Sequence, residues 1–214
     1  MDIKCAIFDL DGTLVDSMWV WESIDIEFLN KRGISPVPAD YMQTVAPMGF
    51  WHTAEYTIER FGLDEQPQSL VDEWTQMAYE KYAKAVPLKP HAKEFLEYLK
   101  SRGVLIALAT ATMQPLAEAT LKNNGIYELF DLVTSTDVVE RGKGFPDIYL
   151  YVADKLGVTP ADCAVFEDIP DGIRGANAAE MYSVGVYDSH SADKQELLKQ
   201  MSDRYILDFS ELID

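Results

Sequence analysis

Two aspartates that stand two positions apart follow the first apolar segment of the sequence. Asp9 and Asp11 come directly after the run Cys5–Phe8, and Gly12 follows them. Two carboxylates this close repel each other unless a cation or a proton lies between them. The pair therefore indicates a cation site, although a plain aspartate-glycine turn explains an isolated pair of this kind equally well. A calcium loop of the EF-hand type is excluded, because its glycine would come two positions later.

Polar groups also follow three later apolar segments. Thr110 and Ala111 offer a hydroxyl and a backbone N–H group ahead of a predicted helix, an arrangement suited to binding phosphate. Lys143 lies in a glycine turn, and Glu167 and Asp168 end another apolar run. Taken singly, these features are also explained as a helix cap, a solvated charge and an exposed acidic turn. Only their combination points to one site.

Six short apolar runs have the length and the β-branched or aromatic composition of strands. They are Cys5–Phe8, Val104–Ala109, Leu129–Thr134, Cys163–Phe166, Tyr182–Tyr187 and Tyr205–Phe209. Helical patterns lie between the later runs, so the sequence predicts an α/β fold with a parallel sheet and helices on both faces. Because sites form at the carboxyl ends of parallel strands, the polar groups that follow the runs are expected to meet there.

Residues 17–86 interrupt this alternation with helical patterns and no convincing strand. Three helices are predicted, over Ser17–Arg32, around Gly49–Phe61 and around Gln68–Lys84. Asp16 or Ser17 can cap the first of them at its N-terminus. We therefore expect a core domain of residues 1–16 and 87–214, and an inserted all-helical cap domain of residues 17–86.

The ordered set of motifs resembles the haloacid dehalogenase-like hydrolase superfamily. The four motifs read Asp9-Leu-Asp11-Gly-Thr13, then Thr110, Lys143 and the pair Glu167-Asp168. The helical insertion after the first strand resembles the cap of the phosphoglycolate phosphatase and β-phosphoglucomutase-like subgroup. The resemblance covers the whole chain, and it implies a Rossmann-like core and an enzyme that acts on phosphate esters.

The resemblance also implies roles for single residues. Asp9 would be the nucleophile that forms an aspartyl-phosphate, and Asp11 the acid that protonates the leaving oxygen and later activates water. Thr110, the Ala111 N–H group and Lys143 would bind the phosphate oxygens. The expected function is that of a phosphatase of a small phosphorylated metabolite, in which positioning and charge stabilisation carry the catalysis.

A Mg²⁺ cofactor follows from the same resemblance. Its ligands in the family correspond to the Asp9 carboxylate, the Asp11 main-chain carbonyl and the Asp168 carboxylate, with Glu167 nearby or acting through water. Oxygen ligands together with retained waters are the coordination that magnesium prefers.

Two other functions stay open on the sequence. A sugar-phosphate mutase of the β-phosphoglucomutase kind must hold two phosphate groups, and the sequence has no arginine between Arg32 and Arg60 to bind the second one. Trp21 also stands where both phosphatases and mutases of the subgroup often have histidine. A phospho-accepting signalling receiver shares the acids, the threonine and the lysine, but receivers are nearer to ~120 residues and lack a cap. Hydrolysis is therefore favoured.

Three positions depart from the family pattern. Gly144 replaces the proline that usually follows the lysine, Ile169 replaces a serine after the acidic pair, and Glu180 replaces a glycine. None of them removes a catalytic group, so they bear on rate and substrate preference. Asp171, close to the acidic pair, is predicted as a helix N-cap.

The composition limits the partners. The chain has 36 Asp and Glu against 18 Lys and Arg, a net charge of −18 at pH 7, which repels nucleic-acid backbones and anionic membranes. Nothing approaches the ~18 apolar residues of a membrane-spanning helix. Cys5 and Cys163 lie in apolar runs and are predicted to be buried free thiols, as in a reducing cytoplasm. The sequence does not predict the oligomeric state.

Overall fold

The computed structural model describes residues 3–45 and 48–213. The chain divides into two compact units. The first comprises Met1–Ser17 and Val86–Asp214, and the second comprises Met18–Ala85. The candidate site residues named above all belong to the first unit.

A six-stranded parallel sheet forms the centre of the first unit, in the order β3-β2-β1-β4-β5-β6. The strands are β1 (Cys5–Phe8), β2 (Leu105–Thr110), β3 (Leu132–Ser135), β4 (Cys163–Glu167), β5 (Tyr182–Val186) and β6 (Arg204–Ile206). Such an order is typical of Rossmann-like folds, whose ligands bind where the chain direction across the sheet reverses, here between β1 and β4. The predicted parallel α/β core is confirmed.

The boundaries of two predicted strands are wrong. The third run begins too early, because Tyr127–Leu129 forms a 3₁₀ turn before β3. The sixth run ends too late, because the capping box of Asp208 starts another 3₁₀ turn at Phe209–Leu212. In both cases a local turn competes for apolar residues that have strand-like composition.

Helices cover both faces of the sheet. In the described residues of this unit the helices are α5 (Ala92–Ser101), α6 (Gln114–Asn123), α7 (Asp147–Leu156), α8 (Pro170–Ala178) and α9 (Gln195–Met201). On one face, Ile7 packs in a buried cluster with Val152 of α7 and Ala176 of α8. On the other face, the ring of Phe8 stacks on Phe166 with centroids 4.5 Å apart. The alternation of β1 residues between the two faces is the two-residue period of a strand.

The second unit consists of four helices, and its described residues contain no strand. They are α1 (Trp19–Lys31), α2 (Ala39–Val45), α3 (Phe50–Phe61) and α4 (Pro67–Lys84). The three predicted helices correspond to α1, α3 and α4. Neither Asp16 nor Ser17 caps α1, because its N-cap position is Met18, which makes no side-chain cap bond. The short helix α2 was not predicted.

The two cysteines occupy paired positions on neighbouring strands. Cys5 of β1 and Cys163 of β4 are in register, and both are buried free thiols, as predicted. In the described part of the chain, no helix combines the length and apolar character needed to cross a membrane.

Candidate active site

Three carboxylates converge at the carboxyl ends of β1 and β4. Asp9 follows β1 directly, and its backbone N–H donates to the Phe166 carbonyl of β4 at 3.0 Å. Glu167 is the last residue of β4, and Asp168 is the next. One oxygen of each carboxylate lies within 4.8 Å of the others, and all three residues are buried. The parallel pairing of the two strands is what brings residues from distant parts of the sequence to this point.

Lys143 supplies the positive charge of this cluster. Its ammonium contacts the Asp9 carboxylate Oδ1 and donates to Glu167 Oε1 at 2.7 Å. Lys143 lies in the loop between β3 and α7 and is only 8% exposed. A buried charge is destabilising unless it is paired and hydrogen-bonded, and the Lys143 ammonium has two carboxylate partners, Asp9 and Glu167.

The turn after β1 positions Thr13 against two of the acids. Its hydroxyl lies 3.3 Å from Asp168 Oδ1 and 3.5 Å from Asp9 Oδ2. Gly12 has φ +77°, and a Cβ atom at this position would overlap the Asp168 carboxylate. A glycine is therefore required both by the backbone conformation and by the close approach of the acid.

Asp11 is held apart from the three-acid cluster by two hydroxyl groups. Ser17 Oγ donates to its Oδ1 and Thr112 Oγ1 donates to its Oδ2, both at 2.5 Å. Its carboxylate is therefore not among the clustered acids, and the ligand atom expected from Asp11 was its main-chain carbonyl. Ser17 and Thr112 were not predicted as site residues. The signal available in the sequence was a hydroxyl residue close behind each of the two motifs.

The predicted phosphate-binding segment lies at the end of β2. Thr110 is the last residue of the strand and is buried, and its Oγ1 accepts the backbone N–H of Thr112 at 3.0 Å. Ala111 is exposed and lies three residues before α6 begins at Gln114. A hydroxyl and free backbone N–H groups in front of a helix are the usual donors to a phosphate.

Burial dominates the protonation of the acids. It raises the pKa of Asp9 well above the usual range, although the Lys143 ammonium works in the opposite direction. Burial also raises the pKa of Asp168 to about 7, and the nearby Glu167 charge adds to this. Burial disfavours the Lys143 ammonium, but the Asp9 and Glu167 carboxylates outweigh it and raise the lysine pKa. One ammonium thus compensates three buried acids only in part.

The donor set fits a hard divalent cation. Glu167 Oε2 is buried and has no hydrogen-bond partner, which is costly for a carboxylate oxygen unless a cation or water meets it. The clustered ligand atoms are all carboxylate oxygens, the type that hard cations bind. Gly172 of α8 leaves room for the Glu167 side chain, because a Cβ atom at this position would overlap the carboxyl group.

The departures from the family pattern have local consequences. Ile169 is the N-cap residue of α8 and makes no side-chain cap bond, so the hydroxyl that a serine would supply is missing. Glu180 has φ +58°, a conformation that favours glycine. A Cβ atom on Gly144 would meet only ordinary contacts, the nearest at 3.7 Å. The predicted capping role of Asp171 is wrong, because it lies in the first turn of α8, where its carboxylate accepts from Arg174 at 2.8 Å.

Comparisons with known proteins find phosphatases among the relatives and a candidate mutase among the similar structures. Fructose-1-phosphate phosphatase YqaB of Escherichia coli K12 is 32% identical over 182 residues, which are 84% of this chain and 94% of that protein. Hexitol phosphatase B of the same strain is 27% identical over 190 residues, 86% of this chain and 83% of that protein. The crystal structure of a candidate β-phosphoglucomutase from Thermotoga maritima has a TM-score of 0.85 at 25% identity, covering 95% of this chain and 94% of its own.

The family follows from a match over most of the sequence. A family model described as a hydrolase, haloacid dehalogenase-like hydrolase, matches residues 3–180. This range includes all four motifs and the strands that bring them together. The chain therefore belongs to the haloacid dehalogenase-like hydrolases and is an enzyme of that family.

Proposed function

We propose that this enzyme is a Mg²⁺-dependent phosphatase of a small phosphorylated metabolite, acting through an aspartyl-phosphate on Asp9. The observation that carries the proposal is that the Asp9 carboxylate, at the end of β1, contacts the Lys143 ammonium and clusters with the carboxylates of Glu167 and Asp168. A carboxylate held beside an ammonium and a cation site can approach a phosphate dianion, because the charges that would repel it are compensated.

The first chemical step transfers the phosphoryl group to the protein. An Asp9 carboxylate oxygen forms a bond to phosphorus while the bond from phosphorus to the ester oxygen breaks. Asp11 gives its proton to the departing oxygen, so the alcohol leaves neutral. The hydroxyl groups of Ser17 and Thr112 hold the Asp11 carboxyl group in one orientation.

The second step regenerates the enzyme. Asp11, now ionised, takes a proton from a water molecule, whose oxygen attacks phosphorus and releases inorganic phosphate and the Asp9 carboxylate. Lys143, the Thr110 hydroxyl and the Ala111 N–H group bind the non-bridging oxygens in both steps. When bound, Mg²⁺ would neutralise charge on the phosphate. Its proposed ligands are Asp9, Asp11 through its main-chain carbonyl, Asp168 and Glu167.

We further propose that residues 17–86 form a cap domain, with residues 1–16 and 87–214 as the catalytic domain. The second unit contains a cavity of about 650 Å³ with aromatic walls formed by Trp21, Phe50 and Trp74. Among the described residues that line it are two acids, Glu22 and Asp25, and no lysine or arginine. Such a cavity suits an uncharged alcohol. The names of the two Escherichia coli relatives support a phosphorylated carbohydrate as the substrate.

A sugar-phosphate mutase is the second candidate, favoured by the structural similarity to the Thermotoga maritima protein. A mutase must bind a second phosphate group, for which a cation in the cap would be needed. The acidic lining of the cavity in Met18–Ala85 supports hydrolysis instead.

The function is tested by measuring phosphate release from a panel of phosphate esters with Mg²⁺ and with a chelator. We expect Mg²⁺-dependent release from sugar or sugar-alcohol phosphates, and a loss on the order of a thousand-fold or more in Asp9→Asn, because the nucleophile is removed. Asp154→Asn is the matched control, since this aspartate is exposed on α7. Conversion of β-glucose 1-phosphate to the 6-phosphate with little free phosphate would show a mutase. Equal turnover by Asp9→Asn and wild type would rule out the aspartyl-phosphate.

A further inference from the structure

A buried tyrosine donates a hydrogen bond to one of the three clustered acids. Tyr149 lies in α7, is 1% exposed, and packs with apolar residues of the sheet. Its hydroxyl donates to Glu167 Oε1 at 3.0 Å. A phenylalanine would fill the same apolar space, and burying a hydroxyl is costly unless it is hydrogen-bonded. The hydrogen bond to Glu167 therefore compensates the cost of burying the Tyr149 hydroxyl.

The two oxygens of the Glu167 carboxylate have different surroundings. Oε1 accepts from both Lys143 and Tyr149, whereas Oε2 is buried without a hydrogen-bond partner. Two donors on one oxygen fix the carboxyl group and leave the other oxygen available to a cation. If Lys143 turns toward a phosphate oxygen, Tyr149 still satisfies Oε1, so Glu167 need not move.

Two glycines of helix α8 lie against Glu167 and against the segment that carries Lys143 and Tyr149. A Cβ atom on Gly172 would overlap the Glu167 carboxyl group. A Cβ atom on Gly175, one turn later, would overlap the Lys143 carbonyl and come within 2.8 Å of the Tyr149 ring. The two glycines thus let α8 pack directly against the glutamate and against the segment that carries both of its donors.

We propose that Tyr149 is a positioning residue of the metal site, which holds Glu167 so that its second carboxylate oxygen faces the cation. This inference rests on the proposed function, because it needs the cation to bind at Asp9, Glu167 and Asp168. Tyr149 does not touch the substrate or the reacting atoms; it acts through Glu167. Partners that orient metal ligands in this way typically change metal affinity by about 10- to 100-fold when they are removed.

The test is Tyr149→Phe, which removes the hydroxyl and keeps the ring. We expect the Kd for Mg²⁺, measured by titration calorimetry on the phosphate-free protein, to rise about 10-fold. The Mg²⁺ concentration for half-maximal activity should rise by a similar factor, while kcat at saturating Mg²⁺ stays within about threefold. Tyr151→Phe is the matched control on the same helix. Tyr151 is half-buried, and the Lys155 ammonium lies over its ring. The Mg²⁺ affinity of the Tyr151→Phe variant should therefore equal that of wild type.

A double-mutant comparison separates positioning from general loosening of the core. Against a Glu167→Gln background, Tyr149→Phe should change Mg²⁺ affinity less than about twofold, because the group that it orients is already altered. An equal loss in both backgrounds, or wild-type affinity in Tyr149→Phe, would overturn the role of Tyr149 while leaving the phosphatase intact. Absence of Mg²⁺ binding by wild type would overturn the proposed metal site and this inference together.

Discussion

The charged residues of the candidate site carry an excess of negative charge that a bound cation could neutralise. Three buried acids face one ammonium, and burial raises the pKa of Asp9 and Asp168. A buried acid cluster of this kind is unfavourable by itself. The excess negative charge is the physical reason to expect that a cation binds there tightly, because the cation relieves a penalty that the fold already carries.

A different acid, Asp25 in α1, gives a prediction for stability. Burial raises the pKa of Asp25 from 3.8 to about 6, and the neighbouring Glu22 charge adds to this. Its contribution to stability is therefore fully present below about pH 4 and is lost as the pH rises through about 6. We expect the free energy of unfolding of Asp25→Asn to exceed that of wild type by up to ~3 kcal/mol at about pH 8 and to match it near pH 4. Denaturant titrations at the two pH values measure the difference.

The control for this prediction is Asp64→Asn, because Asp64 belongs to the same unit and is exposed. That variant should have the same difference from wild type at both pH values. Destabilisation of Asp25→Asn at about pH 8 would mean that the Asp25 carboxylate is stabilised by its surroundings, contrary to the expected sign.

At the scale of elements, the packing of α8 decides how Lys143 and Glu167 are held. We expect Gly175→Ala to destabilise the protein by about 1–3 kcal/mol, because the added Cβ atom would overlap the Lys143 carbonyl. Alanine is otherwise the better helix former by about 1 kcal/mol, so intrinsic propensity alone predicts the opposite sign. Chemical denaturation measures the difference.

Gly142→Ala is the matched control, since a Cβ atom at Gly142 has no neighbour within 4 Å and the residue is exposed. Its unfolding free energy should stay within about 0.5 kcal/mol of wild type. If Gly175→Ala were as stable as this control, α8 would have to tolerate a shift away from the lysine segment.

Elements were predictable where a long pattern repeats and not where local turns compete. The sheet and the helices α1, α3 and α4 follow from apolar periodicity. Helix α2 is only seven residues long and follows Pro36 and Pro38, so it carries too short a pattern to be recognised. The N-terminus of α1 was misplaced, because the N-cap position is Met18 and Ser17, whose hydroxyl donates to Asp11, lies before the helix.

At the scale of the whole molecule, both units are acidic. Residues 18–85 hold 11 acids and 5 bases, and the other residues hold 25 acids and 13 bases. Because repulsion among excess acids opposes folding and salt screens it, we expect the melting temperature to rise by a few degrees between about 0.05 M and 0.5 M NaCl.

Calorimetry or circular dichroism in the presence of a chelator measures this salt effect without divalent cations. A melting temperature that falls with salt would mean that ion pairs such as Arg32 with Glu65, whose atoms are 2.6 Å apart, contribute more than the repulsion costs.

The sequence by itself determined the family of this protein and the parallel α/β architecture of its core. Asp9, Asp11, Thr110, Lys143 and the pair Glu167-Asp168 lie at or after the carboxyl ends of four strands, and the carboxyl ends of parallel strands share an edge of the sheet. Side-chain type and strand period are local properties, so they can be read from neighbouring residues.

Only the tertiary structure decided which groups touch. Lys143 meets Asp9 across 134 positions of sequence, and Thr112 meets Asp11 across 101. The local sequence gives no sign that the Tyr149 hydroxyl meets Glu167, and only the fold shows this contact. Such contacts depend on how helices and loops pack against the sheet, and that packing is set by many distant residues at once.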